Sequence, residues 1–304
     1  MLTEHGVPIA PRTFYAWAKR APSKRALWDA TITEILAGYY EPDEAGRRKP
    51  ESLYGSLKMW AHLQREGIPV AKSTVERLMR RNGWQGVRRC KKVRTTIPDP
   101  GAVRPPDLVD RQFSVPAPSM LLVADFTYVR LITGVFIYVA FVIDAYAGTI
   151  VGWEASASKH TRFVESAIRQ AAALRRRQGH PIDGAVHHSD AGSQYTSMRF
   201  GETLSLSGIR PSVGSVGDAY DNALAETTIG LYKNECVRAD SPFRRGPLNT
   251  LGDVEHITAD YVAWYNHQRL MHRLGRVPPA EAEAQYYSQF VTSRPAGSQN
   301  PEGA

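Results

Sequence analysis

Three short segments set carboxylates among residues suited to one site: Leu122-Val123-Ala124-Asp125-Phe126-Thr127-Tyr128, His187-His188-Ser189-Asp190-Ala191-Gly192-Ser193-Gln194-Tyr195 and Gly217-Asp218-Ala219-Tyr220-Asp221-Asn222-Ala223-Leu224-Ala225-Glu226. Carboxylates ionise near pH ~4, so three gathered at neutral pH repel one another unless cations bridge them. Hard oxygen donors suit Mg²⁺. Two such ions about 3.5 to 4 Å apart deprotonate a nucleophile and neutralise a phosphate and its leaving oxygen. The chemistry this pattern points to is therefore metal-assisted attack on a phosphodiester, with Asp125, Asp190 and Glu226 as ligands. Lys233 follows Glu226 by seven residues. On one helix that spacing is two turns, roughly 10 Å along the axis.

These residues need a sheet and a helix to position them. Segments 121–131, 135–144 and 149–155 are rich in β-branched and aromatic residues, with Thr133-Gly134 and Ala147-Gly148 as turns. They predict three consecutive antiparallel strands, Asp125 inside the first. A helix over 162–177, a strand over 185–188 ending just before Asp190, a helix capped by Thr196 and stopping at Gly208, and a last strand over 209–213 follow. A meander followed by alternating helix and strand describes an α/β sheet with crossovers. A helix from 222 or 223 to 237 carries Glu226 and Lys233, and a final helix spans 253–271. Trp264, Tyr265 and Asn266 read as packing that helix onto the sheet, His187 and His188 as core or strand-end histidines, and Ser193, Gln194 and Tyr195 as shaping the turn after Asp190. Asp218, Asp221 and Asn222 read as turn and cap residues.

The first third differs in character. The chain has 304 residues and a net charge of +8, yet residues 1–104 hold twenty Lys and Arg against ten Asp and Glu. Such asymmetry suits a polyanion such as DNA. Helical spacing over 26–39 and around Leu57, Trp60 and Ala61, a turn at Gly67-Ile68-Pro69-Val70, and Ser73-Thr74-Val75-Glu76 as a capping box predict a helix-turn-helix. Its second helix turns Arg77, Arg80 and Arg81 outward, and Arg88, Arg89, Lys91, Lys92 and Arg94 extend the basic track. Six prolines between Thr95 and Met120 predict a linker. The expected division is a basic helical region over 1–94, a linker over 95–119, a catalytic core over 120–290 and a disordered tail over 291–304. Two cysteines, Cys90 and Cys236, belong to no metal-ligand cluster, which speaks against zinc fingers and disulfide scaffolds. No apolar run approaches a membrane span and no secretory core opens the chain, so a cytoplasmic, nucleoid-associated protein without a membrane partner is expected.

The acid segments, Leu231-Tyr232-Lys233-Asn234-Glu235, and Trp264-Tyr265-Asn266-His267-Gln268-Arg269 with His272, Leu274-Gly275 and Pro278-Pro279-Ala280 closely resemble the DDE transposases of bacterial insertion sequences. More narrowly they resemble the OrfB product of the insertion sequence three family. Tyr54-Gly55 and Thr74-Val75-Glu76-Arg77-Leu78-Met79-Arg80 resemble its helix-turn-helix, and the likeness covers about residues 6–287. The resemblance implies an RNase H-like mixed five-stranded sheet flanked by helices, preceded by the small all-α region. It implies that Asp125, Asp190 and Glu226 bind two Mg²⁺ or Mn²⁺ ions, that water and then a freed 3′-hydroxyl attack DNA, and that Lys233 lies near the DNA end. It also implies double-stranded DNA as partner, terminal inverted repeats and target alike, an upstream OrfA product or fusion, and a homo-multimer on DNA.

Two departures stand out: Leu122 where relatives usually carry tryptophan, and Ala191 where they usually carry arginine. The first is expected to loosen packing beside Asp125, the second to remove a phosphate contact. Two other functions share these residues: a catalytically weakened DNA-binding regulator of transposition, and an RNase H-like nuclease without strand transfer. The Arg-rich first third argues against the nuclease, and the intact acids against the regulator. Residues 1–104 hold no zinc-binding His/Cys module of the retroviral-integrase kind.

Overall fold

In the computed structural model the described residues are 10–88, 107–109, 113–190, 194–214 and 223–291. Arg89, Lys91, Lys92, Ala191, Asp218, Asp221, Asn222, most of the expected linker and nearly all of the expected tail lie outside them. The chain divides into two compact units, 1–86 and 87–304.

In the first unit, apolar residues at helical spacing build four helices: α1 (Pro11–Ala18), α2 (Lys24–Tyr40), α3 (Ser56–Arg65) and α4 (Lys72–Arg81). Ile32 and Leu36 of α2, Met59 and Leu63 of α3 and Val75 and Leu78 of α4 close a common core. Each such side chain contributes about 1.5–3 kcal/mol by leaving water. Tyr40 donates to the Tyr54 carbonyl at 2.7 Å and stacks on Trp84. The turn between α3 and α4 uses Gly67 at φ +76°, a conformation only glycine adopts without strain. The expected Ser73–Glu76 capping box does not form. The helix starts two residues earlier, with Ala71 at the cap, and Glu76 instead pairs with Arg80 at 3.1 Å. Ser73 lies inside the first turn, where its hydroxyl has no cap position to fill.

The second unit holds β1 (Leu121–Arg130), β2 (Phe136–Asp144), β3 (Ile150–Ser156), β4 (Val186–Ser189) and β5 (Arg210–Val213) in one sheet ordered β3-β2-β1-β4-β5. β1 to β3 pair antiparallel, and β4 and β5 join in parallel through α5 (Arg162–Arg177) and α6 (Met198–Leu206). This is the mixed, RNase H-like sheet. One face buries Leu122, Ala124, Ala140 and Val142 against Phe163, Ala167, Ile168 and Ala171 of α5 and Phe200 and Leu204 of α6. Gly152 lets the α5 backbone approach β3, because a Cβ there would collide with the Ala167 carbonyl. Leu122 is fully buried in this cluster, so the position is filled rather than loosened.

The other side carries α7 (Ala223–Tyr232) and α8 (Leu251–His267). Tyr232 meets Phe141 at 5.0 Å between ring centroids, and Asn266 bonds both the N–H and the carbonyl of Ile150, holding the end of edge strand β3. Two expectations need correction. Ser197, not Thr196, caps α6, accepting from the Phe200 amide. The expected last helix stops at His267, and a further helix, α9 (Pro279–Val291), follows. Arg175 of α5, nearly fully buried, holds α9 in place by bonding Glu283 and Asp144 at 2.7 Å each, and Thr149 donates to Glu283 at 2.6 Å. Among the described residues no helix is long and apolar enough to cross a membrane.

Candidate active site

Strand register brings the first two acids together. β1 and β4 run parallel with Leu121 opposite Val186 and Ala124 opposite Ser189, so Asp125 and Asp190 are the next residues on adjacent chains. Paired strands lie about 4.8 Å apart. Glu226 sits in the first turn of α7, which packs against β1. A carboxylate there is favoured by the positive end of the helix dipole. All three are half-buried residues: Asp125 in the middle of β1, Asp190 just past the end of β4 and Glu226 on α7.

Their mutual influence shows on Asp125. Burial pushes its carboxyl well above the ordinary carboxylate range, and the charges of Asp190 and Glu226 push it further. The Phe126 amide, donating at 2.7 Å, and Lys233 act in the other direction without overcoming this. Among the described residues no three His, Cys, Asp or Glu side chains stand close enough together to close around a metal ion. Residues 191–193, which follow Asp190, and 215–222, which precede the start of α7, lie outside the described residues. The donor chemistry nonetheless fits a hard divalent cation: the set is all oxygen, and the charges of Asp190 and Glu226 act on Asp125 more than Lys233 offsets.

Lys233 follows the last residue of α7 and opens a π-type turn, Lys233–Val237, where the expected helix would have continued unbroken. Its ammonium lies 4.8 Å from the centre of the Tyr128 ring. Partial burial lowers its pKa, while Asp125 works to raise it. The turn is anchored by a bidentate buried ion pair absent from the sequence-based reading: Arg269 bonds Glu235 at 2.6 and 2.7 Å, with Tyr261 donating to the same carboxylate at 3.1 Å. An acid two residues past Lys233 and an arginine just past the Trp264-Tyr265-Asn266 run were the available signal. Nothing in their spacing pairs them.

Tyr195 is more than a turn residue. Its ring packs against Phe126, His187 and Phe200, its hydroxyl is buried without a hydrogen-bond partner among the described residues, and burial, then Asp125 and Asp190, push that hydroxyl's pKa up. His187 and His188 are core histidines as expected: His188 Nδ1 lies 2.9 Å from Ser212 Oγ, and burial and then His188 push His187 down to about 3.

The family models place the chain. Residues 116–219 and 207–279 match two models described as integrase core domain, and residues 32–92 match an HTH-like domain. A Mycobacterium tuberculosis protein named for insertion sequence element IS986/IS6110 is 48% identical over 291 residues, covering 95% of this chain and 99% of that protein. The chain belongs to the DDE-type transposases of bacterial insertion sequences. The transposase for insertion sequence element IS629 of Shigella sonnei is 45% identical over 287 residues, covering 93% of this chain and 90% of that one. The HTLV-2 integrase catalytic core domain in complex with magnesium aligns at 18% identity with a TM-score of 0.42, covering 55% of this chain and 98% of that one.

In the first unit of this transposase the expected DNA-facing cations separate. Arg77 is bonded to Asp29 at 2.7 Å and ties α4 to α2. Of the expected residues that leaves Arg80, itself paired with Glu76, and Arg81 exposed on α4; Arg88, which belongs to the second unit, is exposed as well.

Proposed function

We propose that the protein cuts and joins DNA strands at the ends of an insertion sequence, with Asp125, Asp190 and Glu226 as its catalytic acids and ligands of two Mg²⁺ or Mn²⁺ ions. The observation that carries this reading is the register that makes Asp125 of β1 and Asp190, just past the end of β4, the next residues on adjacent strands, with the charge of Glu226 felt at Asp125. When bound, such ions activate a nucleophilic oxygen and relieve charge on the leaving oxygen. The protein's own part is positioning. Two rigid strands and a helix hold the acids, the Glu235–Arg269 pair fixes the turn that starts at Lys233, and Lys233 contacts a phosphate of the DNA end. Water and a 3′-hydroxyl are attacking groups of the same in-line chemistry, so one site serves cleavage and joining.

Arg80, Arg81, Arg88, Arg89, Lys91 and Lys92 are proposed to bind the DNA backbone. Arg77 is proposed to support them through Asp29 rather than to touch DNA itself. End recognition and assembly of a homo-multimer are proposed to depend on an upstream OrfA product or fusion, the setting being the bacterial nucleoid.

The test is to incubate the chain, with and without its upstream partner, with labelled element-end DNA and Mg²⁺ or Mn²⁺, and to look for a nick and a joined product. Asp125→Asn, Asp190→Asn and Glu226→Gln should each remove both products. Activity surviving any of them would refute the ligand set.

A further inference from the structure

Beyond Phe126 the α5 side of the sheet runs out of cover. Phe126 and Tyr138 still pack against the core cluster, whereas Tyr128 and Phe136 are exposed, and Ile132 and Val135 at the β1–β2 turn are 69% and 52% exposed. The Tyr128 and Phe136 rings meet edge to face at 5.1 Å. Lys233 Nζ stands 4.8 Å from the centre of the Tyr128 ring. β4 pairs with β1 only as far as Ala124, so from Asp125 onward that edge of β1 has no strand partner among the described residues. Tyr128 lies three residues along the strand from Asp125, on the opposite face of β1, with the strand's open edge between them. At ~3.3 Å per residue that is roughly 10 Å, about the reach of one or two nucleotides.

An aromatic pair left in water at the open edge of β1, with a cation on one ring that also acts on Asp125, matches the two halves of an unpaired nucleotide. A base offers a π face for stacking and its phosphate an anion for the ammonium. A base inside a duplex has no free face, so the occupant must be unstacked. Resting on the DNA-processing reading above, we propose that Tyr128 and Phe136, with Ile132 at the turn, form a stacking platform for an unpaired nucleobase flanking the phosphodiester under attack. Lys233 exchanges the Tyr128 ring for that nucleotide's phosphate. The ring holds the ammonium in place until DNA arrives, then serves the base.

The test uses the full chain in EDTA, where DNA stays intact, with a duplex ending in unpaired nucleotides that include 2-aminopurine and the matching blunt duplex. The wild type should prefer the unpaired end and quench the 2-aminopurine. Tyr128→Leu and Phe136→Leu should each lower that preference by roughly 5- to 150-fold, the range of one lost stacking contact, with blunt-duplex affinity unchanged. Both positions are exposed, so their thermal midpoints should match the wild type. Asp125→Asn should keep the quench while losing cleavage. Equal affinity of the wild type for both duplexes, or variants with undiminished preference, would overturn the platform even if the wild type cuts DNA with Mg²⁺. Quenching by a wild type that never cuts would keep the platform and sink the catalytic reading. A change in oligomeric state on Phe136→Leu with DNA binding intact would reassign the hairpin to a protein contact.

Discussion

Two regions of the sheet unit bury carboxylates and treat them in opposite ways. Beside α9, burial pushes Asp144 up, but Arg175 and the amides of Ser119 and Tyr146 oppose it, and Arg175 also bonds Glu283. Burial disfavours the Arg175 charge too, yet Glu283 and Asp144 hold the guanidinium above its ordinary range. On β1 the half-buried Asp125 feels two more acids, and the Phe126 amide and Lys233, engaged with Tyr128, work against them without overcoming them. The contrast teaches where the fold spends its own cations and where it leaves the charge for something else to neutralise. The first arrangement locks a helix; the second is a site.

The sharpest way to break this comparison is Asp125→Asn, which should move activity and stability in opposite directions. Cleavage and joining should be lost, while the metal-free protein gains about 2–4 °C in thermal midpoint at neutral pH for each kcal/mol of repulsion removed. A carboxyl whose folded pKa exceeds its unfolded value destabilises when ionised, so the gain should vanish as pH falls below ~3.9. Mg²⁺ or Mn²⁺ should raise the wild-type midpoint and leave that of the variant unchanged. A metal-free variant less stable than the wild type would show that the acids are not in conflict.

Next comes Arg175→Met, which strands Asp144 and Glu283 without a cation. Urea unfolding should show a loss of about 3–5 kcal/mol, the cost of breaking a buried pair from one side. A loss below ~1 kcal/mol would mean that α9 is not held this way.

The smallest effect concerns His187, whose burial pushes it down to about 3. Its unfolded form takes up a proton near pH ~6.5 that the folded form refuses, so stability should decline as pH falls from there, by at most ~1.4 kcal/mol per pH unit. His187→Gln should flatten that slope. An unchanged slope, read from paired denaturation curves, would show that the imidazole titrates in place.

Strands and crossovers were readable because period-two and helical patterns survive where a sheet has helices on its faces. Helix α5, expected over 162–177, spans Arg162–Arg177. Helix α9 escaped because it docks through buried Glu283 and half-buried Tyr286 and Tyr287, the first tyrosine edge to face with Tyr146 and the second stacked on His180, and not through an apolar stripe. The Ser73–Glu76 cap failed for a local reason: Ala71 already accepts the backbone bonds from Thr74 and Val75, and the helix needs no hydroxyl to begin.

The sequence alone determined which residue types are present at Asp125, Asp190, Glu226 and Lys233, the alternation that makes β1 a strand, and the basic excess of the first third. Only tertiary structure decided which acids receive an arginine. Glu283 meets Arg175 from 108 positions away and Arg269 meets Glu235 from 34, while the register sets Asp125 beside another acid, Asp190, whose charge acts on it. Charge can be counted along a chain, but its compensation depends on distance and burial, and those exist only once the strands are in register.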